Sequence, residues 1–327
     1  MKLLQQRSVR VAAGVWAVAV FLAILLGRDG LPFDRPLLAG RSVVEQLISV
    51  HVQLAFALFL VAIISRRTRS RPFPDFEHRA PARPVAINET LLALGYAAGV
   101  LVVGQFVGRL VGNHGIGLHL HGTIYGPTAA VTPRDILAWM VFNFLFWAVI
   151  PYLYARKRGY SHQALNLKSS DVRRDTGLIL VVLVLESLGE LTISTVLGLS
   201  GRQMVLGGSL SFVIHLFGTA LPVMVFIYCI LISRYFVITR SVAAVTLLGG
   251  FTYAAVHLFE YWAVYSSMRD AMLSVIFITL QFVGPGMVKS YLTLRTGNAW
   301  VHVWAYHAIA PHVTIDTTNI VKLLGVR

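Results

Sequence analysis

Apolar runs long enough to cross a membrane recur along the whole chain, and they constrain its fold more than any other feature. Of the 327 residues, 56% are hydrophobic and 13% are charged, whereas soluble domains carry about 25% charged residues. A run of about 18 apolar residues spans the hydrocarbon core, and in lipid it must be a helix so that its backbone groups are paired. We therefore predict an all-α polytopic membrane protein of about nine transmembrane helices. The predicted spans are Val9–Gly27, Val43–Ser65, Thr90–Leu110, Ile136–Tyr154, Gly177–Leu197, Leu206–Ser233, Val242–Val264, Ala271–Tyr291 and Asn298–Ile315.

The distribution of basic residues predicts how these spans are oriented. The net charge is +14, from 28 Lys and Arg against 14 Asp and Glu. The basic residues cluster in every second loop, as the positive-inside rule requires when the N-terminus is cytoplasmic. Contact with anionic lipid headgroups then accounts for the excess charge, so we expect the lipid bilayer as a partner and no nucleic acid. The prediction is a multi-pass protein of a bacterial plasma membrane.

Composition also suggests a division of the chain into two regions. Residues 1–155 would form an N-terminal membrane region of four helices, and residues 156–327 a core of five helices. The loop 66–84 is rich in Arg and Pro and is predicted to be an extended cytoplasmic linker. The first apolar run is too long for a signal-peptide core, so it is assigned as a span. The single cysteine, Cys229, excludes an intrachain disulfide and a Cys-rich zinc site.

Ionisable side chains within the predicted spans are costly, so each is a candidate for function. His257 and Glu260 are three residues apart and Glu186 and Glu190 are four apart, so each pair would project from one helical face. A structural interpretation stands beside the functional one, because a single buried histidine most often only hydrogen-bonds between helices. Glu45, at the end of its span, can extend to the headgroups. The full set is Glu45, His51, Glu186, Glu190, His215, His257, Glu260, His302, His307 and His312.

Histidines together with carboxylates could hold a divalent metal, or a carboxylate could act as a base. Their spacing names no metal, and there is no HExxH motif. His307 and His312 are five residues apart, which places them on different faces of a straight helix unless Pro311 distorts it. A further His-rich tract, NHGIGLHLHGTIY, contains His119 and His121 in a predicted external loop. Such a tract can bind a transition metal, but loop histidines are more often simply polar.

The second half of the chain resembles the CAAX-prenyl-protease and bacteriocin-processing family of intramembrane proteases, also called the Abi family. The stretch ARKRGYSHQALNLKSSDVRRDTGLIL is similar to the family's basic lead-in to a hydrophobic span. The segment KSYLTLRTGNAWVHVWAYHAIAPH is similar to its final motif region. Between them, GGFTYAAVHLF resembles the second motif, an aromatic residue four positions before a histidine, here Tyr253 and His257. The resemblance covers roughly Arg156–His312.

The resemblance implies a glutamate that activates water, two histidines and an Asn or Asp on later helices. The family's glutamate pair precedes an arginine, and counting back from Arg234 places Cys229 and Ile230 at the glutamate positions. The third motif is His-x-x-x-Asn or Asp, and His307 fits its first position while Pro311 occupies the last. Arg234 would then be a structural remnant at the cytoplasmic end.

Three hypotheses follow for function. The chain could be a non-proteolytic relative that keeps the helical cavity for binding a partner in a membrane complex. It could be an active intramembrane peptidase in which Glu186, Glu190 or Glu260 has taken over the role of the missing base, with a membrane-embedded peptide as substrate. It could instead be a transporter or a subunit that holds a metal or cofactor through intramembrane histidines. We expect His257 and His307 to be polar-site residues and Glu260 to be the replacement carboxylate.

Overall fold

Helices are the regular secondary structure of the described part of the chain. The structure, a computed structural model, describes residues 6–33, 38, 40–112, 114–120 and 131–327, and no strand occurs among them. Four short helical segments follow the last long helix, namely Trp300–His302, the π-helical turn Val303–His307, Ala310–Thr314 and Thr317–Leu323. The longer helices are α1 (Arg7–Gly27), α2 (Val43–Arg67), α3 (Arg83–Val111), α4 (Pro133–Lys157), α5 (Val172–Leu191), α6 (Gly201–Thr239), α7 (Val242–Ala255) and α8 (Met268–Thr296).

Among the described residues, six helices, α1 to α4, α6 and α8, are long and apolar enough to cross a membrane. The chain is therefore an all-helical, multi-pass membrane protein, but the predicted count of nine spans is not confirmed. Helix α5 is 20 residues long and carries charges at both of its ends. Helix α7 has 14 residues, or about 21 Å of length at 1.5 Å per residue. The predicted span Asn298–Ile315 is broken into the short segments because a π-helical turn and Pro311 interrupt it.

Three of the long helices begin at reciprocal caps that the sequence encodes locally. At α2, the Ser42 side chain accepts from the Glu45 backbone amide while the Glu45 carboxylate accepts from the Ser42 backbone amide. Helices α4 and α6 begin in the same way, at Thr132 and Ser200. Such a capping box pairs backbone amides that the helix leaves unsatisfied. The carboxylate of Glu45 thus has a structural role at the start of α2.

Close packing of α7 on α8 sets the position of the polar side chains described below. Gly286 of α8 lies against Gly250 of α7, and a Cβ added at Gly286 would come within 2.6 Å of the Tyr253 Cβ and 2.8 Å of the Gly250 Cα. Small residues at a helix interface allow this approach in membranes. The contact brings Tyr253 over Lys289, whose Nζ lies 3.7 Å from the centre of the tyrosine ring.

The segment between α2 and α3, residues 68–82, packs against the protein and is called the strap here. The sequence predicted an extended linker over 66–84, and that prediction is wrong. Phe76 is fully buried, and Arg71 pairs with Asp175 at 2.5 Å with both side chains buried. Arg79 donates to the Asn166 side chain and to the Gly297 carbonyl. The strap thus anchors α2 and α3 to the C-terminal half of the chain, because Arg71 and Arg79 bond to buried acceptors there.

Candidate functional site

His257 and Glu260 meet in a turn that follows α7. The helix ends at Ala255, and the next residues form successive turns in which the amide of Glu260 donates to the His257 carbonyl. The spacing of His257 and Glu260 predicted that they project from one helical face. This prediction is wrong, because both residues lie in turns beyond the end of the helix. The ring Nδ1 of His257 lies 2.5 Å from the Tyr253 carbonyl oxygen, which can only accept, so Nδ1 carries the proton. Its Nε2 is then left with a lone pair, and this buried atom has no hydrogen-bond partner among the described residues.

A third member of this group, His119, comes from the loop before α4. The loop folds into the protein because Trp139 and Asn143 of α4 donate to the carbonyls of Gly117 and Leu118. The His119 Nδ1 lies 2.9 Å from the Glu260 Oε1, and its ring centre is 4.6 Å from that of His257. The nearby His121 lies outside the described residues. His119 was expected to be a polar external loop residue, and the structure instead places it in the core.

The donor set His119, His257 and Glu260 fits a divalent metal ion. One ligand atom from each lies within 4.8 Å of the other two. Ligand atoms at about 2.0–2.1 Å from a tetrahedral Zn²⁺ lie about 3.3 Å from each other. The three ligand atoms would therefore move closer together when they coordinate the ion. The two rings are inclined at 69°, which lets their in-plane lone pairs converge on one point. The His257 tautomer, fixed by a backbone carbonyl, is typical of histidine ligands.

A second group, His215, His312 and Asp316, lies beside the first. The His312 Nδ1 donates to the Asp316 Oδ2 at 2.8 Å, and the His215 Nε2 faces the same oxygen at 3.3 Å. One ligand atom from each of these residues also lies within 4.8 Å of the others. However, the His215 and His312 rings are parallel, 8° apart, with centres separated by 4.4 Å. Stacked rings cannot both direct in-plane lone pairs at one ion, so this group fits proton transfer better than metal binding.

Asp316 was missed by the sequence reasoning, although a signal for it exists. His312 and Asp316 have the His-x-x-x-Asp spacing of the third motif, five residues after the position that was assigned to His307 and Pro311. The ring centres of His119 and His312 are 6.1 Å apart, so the two groups form one continuous polar cluster in the core. His312 Nε2 is buried and has no hydrogen-bond partner among the described residues.

His307 and His302 extend the cluster towards α8. The π-helical turn Val303–His307 and the break after it bring the His307 and His312 rings to 5.4 Å, although a straight helix would separate them. The His302 and His307 rings are 6.1 Å apart. Tyr253 lies between His307 and the first group. The centre of its ring is 4.4 Å from that of His257 and 6.1 Å from that of His307. Both predicted polar-site histidines, His257 and His307, are buried.

A small cavity of about 40 Å³ lies at the centre of this cluster, large enough for one water molecule. It is lined in part by His119, His307, His312 and Lys289. A larger cavity of about 340 Å³ adjoins it between α2 and α5, and contains Glu186 and Glu190. Three residues line both cavities, namely Gln53, Glu190 and Tyr306. The polar cluster is therefore next to a space that a ligand could occupy.

Arg234 lies away from the histidine cluster and joins α6 to α3. Its guanidinium donates to the Glu89 carboxylate at 2.6 and 2.9 Å and to the Ile230 carbonyl. The Tyr160 hydroxyl donates to the same carboxylate, and burial together with this bond raises the pKa of Tyr160 to about 12. Cys229 is buried in a π-helical part of α6, and a buried thiol in apolar surroundings is a poor nucleophile.

The comparisons with known proteins add no relative. No protein-family profile matches the chain, and neither the curated proteins nor the solved structures include a significant match. The geometry of the buried cluster therefore carries the functional argument, and the family resemblance remains a similarity of motifs.

Proposed function

We propose that the chain is an intramembrane hydrolase whose centre consists of a metal site, His119, His257 and Glu260, and an adjacent base, His312, oriented by Asp316. The observation that supports this proposal most strongly is that three ligand atoms lie within 4.8 Å of one another inside the apolar core. Both Glu260 oxygens are buried, with the His119 ring 2.9 Å from Oε1, and an ionised carboxylate inside the apolar core is costly unless a cation compensates it. A bound divalent ion would satisfy Glu260 and the free His257 Nε2 together.

A metal held here would polarise a substrate carbonyl and make its bound water more acidic. The His312 Nε2 then accepts a proton from the attacking water, and Asp316 holds the imidazole by its Nδ1–H. The water oxygen bonds to the carbonyl carbon, the C–N bond breaks, and the proton passes from His312 to the departing amine. General-base help of this kind contributes about 10²–10⁴-fold. The family resemblance suggests a peptide bond of a membrane-embedded protein as the substrate.

In this account Glu260 is a metal ligand and not the base that replaces the missing glutamates. We place the centre nearer the external side, because His119 comes from a loop between two spans that the basic residues orient outward. The N-terminus is then cytoplasmic, in a bacterial plasma membrane. The shorter helices α5 and α7 and the segments after Trp300 would complete nine crossings, with neighbouring helices covering their charged or broken parts.

The test is metal-dependent hydrolysis by the purified protein in lipid nanodiscs. A fluorogenic membrane-spanning peptide should be cleaved, a zinc chelator should stop cleavage, and added Zn²⁺ should restore it. Glu260→Gln should lower turnover at least about 100-fold. His51→Ala is the matched control, because His51 is an α2 histidine that bonds to Trp16 and lies outside the cluster. Cleavage that survives both chelation and Glu260→Gln would refute the proposal.

A non-enzymatic metal-binding subunit is the second candidate. The presence of Cys229 and Ile230 at the positions of the family's glutamates favours it. It predicts that the metal binds with the same ligands but that no peptide is cleaved, and that Asp316→Asn has no effect on the metal-bound protein's association with its partner.

A further inference from the structure

The cavity between α2 and α5 contains two carboxyl groups that the proposed hydrolysis does not use. Glu186 and Glu190 are four residues apart on α5, and both line this cavity of about 340 Å³. Its volume is within the range of small-molecule sites in proteins. Ser49 and Gln53 of α2 line the opposite wall and add polar groups.

Glu186 is the feature that points to a ligand. Its side chain is 2% exposed, and its Oε2 is buried without a hydrogen-bond partner among the described residues. The Tyr306 hydroxyl lies within hydrogen-bonding reach of the same carboxyl group. A buried polar oxygen without a partner costs free energy, and a donor in the cavity would remove that cost.

The charges and aromatic groups of the cavity specify the chemistry of that donor. In the part of the chain that the structure describes, the two acidic groups face one buried base, Lys289, which interacts electrostatically with both. One further cation would balance the pair. The rings of Phe56 and Tyr306 also line the cavity, and aromatic faces attract ammonium groups. An inorganic divalent ion would instead need several oxygen ligands at close range, and the described acidic residues form no such group here.

We propose that the cavity formed by Glu186, Glu190, Ser49, Gln53, Phe56 and Tyr306 binds a protonated amine with an apolar substituent. The ammonium donates to Glu186 and Glu190, and the substituent packs on Phe56. This site does not depend on hydrolysis. Because Glu190 and Tyr306 also line the central cavity, an amine bound here would lie beside the donor set His119, His257 and Glu260. The amine could be a free ligand or the basic side chain of a bound peptide.

Calorimetric titration of the purified full chain with benzylamine at neutral pH tests the site, with benzyl alcohol as the uncharged analogue. We expect benzylamine to bind and benzyl alcohol not to bind. Glu186→Gln and Glu190→Gln should each weaken benzylamine binding at least about tenfold, since a hydrogen bond to a charged group is lost. Asp29→Asn, an exposed carboxylate outside the cavity, should leave the affinity unchanged. Equal binding of the two probes, or unchanged affinity in Glu186→Gln, would overturn the proposal.

Two additional measurements keep the test decisive. If the glutamine variants do not fold, Ser49→Phe fills the cavity from the α2 side and should abolish benzylamine binding. Competition by a membrane peptide containing lysine, but not by the same peptide with norleucine, assigns the amine to a peptide, and competition by neither assigns it to a free ligand. Because binding is measured without turnover, loss of the amine site and absence of hydrolysis are separate results.

Discussion

Three imidazoles of the cluster are each held at Nδ1 by an acceptor of fixed position. His257 and His215 donate to the carbonyls of Tyr253 and Ser211, four residues earlier in each case, and His312 donates to Asp316. Only Nε2 is then available for a ligand or a proton. Two backbone carbonyls and one carboxylate therefore select the histidine tautomers that metal binding and proton transfer require.

The role of Asp316 can be separated from metal binding by Asp316→Asn. The amide keeps the size of the side chain but removes the charge that orients and supports the His312 imidazole. Turnover should fall about 10²–10⁴-fold while bound metal stays at the wild-type level. Steady-state kinetics and metal analysis of the same preparation measure both. If the variant also lost its metal, Asp316 would be a metal ligand. The ion would then be held by the group His215, His312 and Asp316 and not by the group that contains His257.

The sequence predicted some members of the site and missed others for physical reasons. His257 and Glu260 were found because an ionisable group inside an apolar run is costly and therefore informative. His119 was named as part of a tract that can bind a metal but was assigned to an external loop, because nothing in the loop sequence indicates that α4 side chains draw it into the core. Asp316 was missed because the last predicted span ends at Ile315, one residue before it.

At the scale of elements, interrupted helices and close glycine contacts place the site. The π-helical turn at Val303–His307 rotates His307 towards His312, and such turns occur frequently at functional sites. The predicted helices are confirmed in α2, α3 and α8, whereas the predicted span Val242–Val264 is helical only as far as Ala255. Periodicity could not predict the breaks, because a π-helical turn leaves the apolar composition unchanged.

The α7–α8 contact can be tested by Gly286→Ala. The added methyl group would meet the Gly250 Cα and Tyr253 Cβ, and neither is the end of a flexible side chain. We expect destabilisation by about 1–3 kcal/mol, as in an overpacked core. Gly14→Ala in α1 is the control, because its added Cβ meets no atom within 4 Å. Unfolding in mixed micelles, followed by tryptophan fluorescence, compares the two, and equal stabilities would contradict the tight contact.

The strap supplies a second prediction at this scale. Arg71→Ala leaves the buried Asp175 carboxylate with the hydrogen bonds from Ser169 and Asn298 but without its charge partner, and should destabilise the protein by about 3–5 kcal/mol. The double variant Arg71→Ala, Asp175→Ala removes both charges and should be less destabilised than the single variant. Arg28→Ala, in an exposed pair with Asp29, should have little effect. If Arg71→Ala behaves like Arg28→Ala in the same unfolding assay, the strap is not a fastening element.

For the whole molecule, the outward position of the His119 loop depends on the orientation of the spans. Cysteines introduced at Asp75 and at His114 should react differently with an impermeant thiol reagent on intact cells. The loop before α4 should be labelled and the strap should not. The native Cys229 is buried and gives little background. Labelling of position 75 alone would reverse the orientation and place the centre near the cytoplasm.

The metal content of the purified chain tests the central claim most directly. The account predicts about one zinc ion per chain in the wild type and in His51→Ala, measured by inductively coupled plasma mass spectrometry after removal of loosely bound metal. His119→Ala, His257→Ala and Glu260→Gln should each contain far less, with folding checked by circular dichroism. Wild-type protein that takes up no zinc, manganese, iron or cobalt, or folded variants that retain the wild-type amount, would contradict the assignment of these three residues as a metal site.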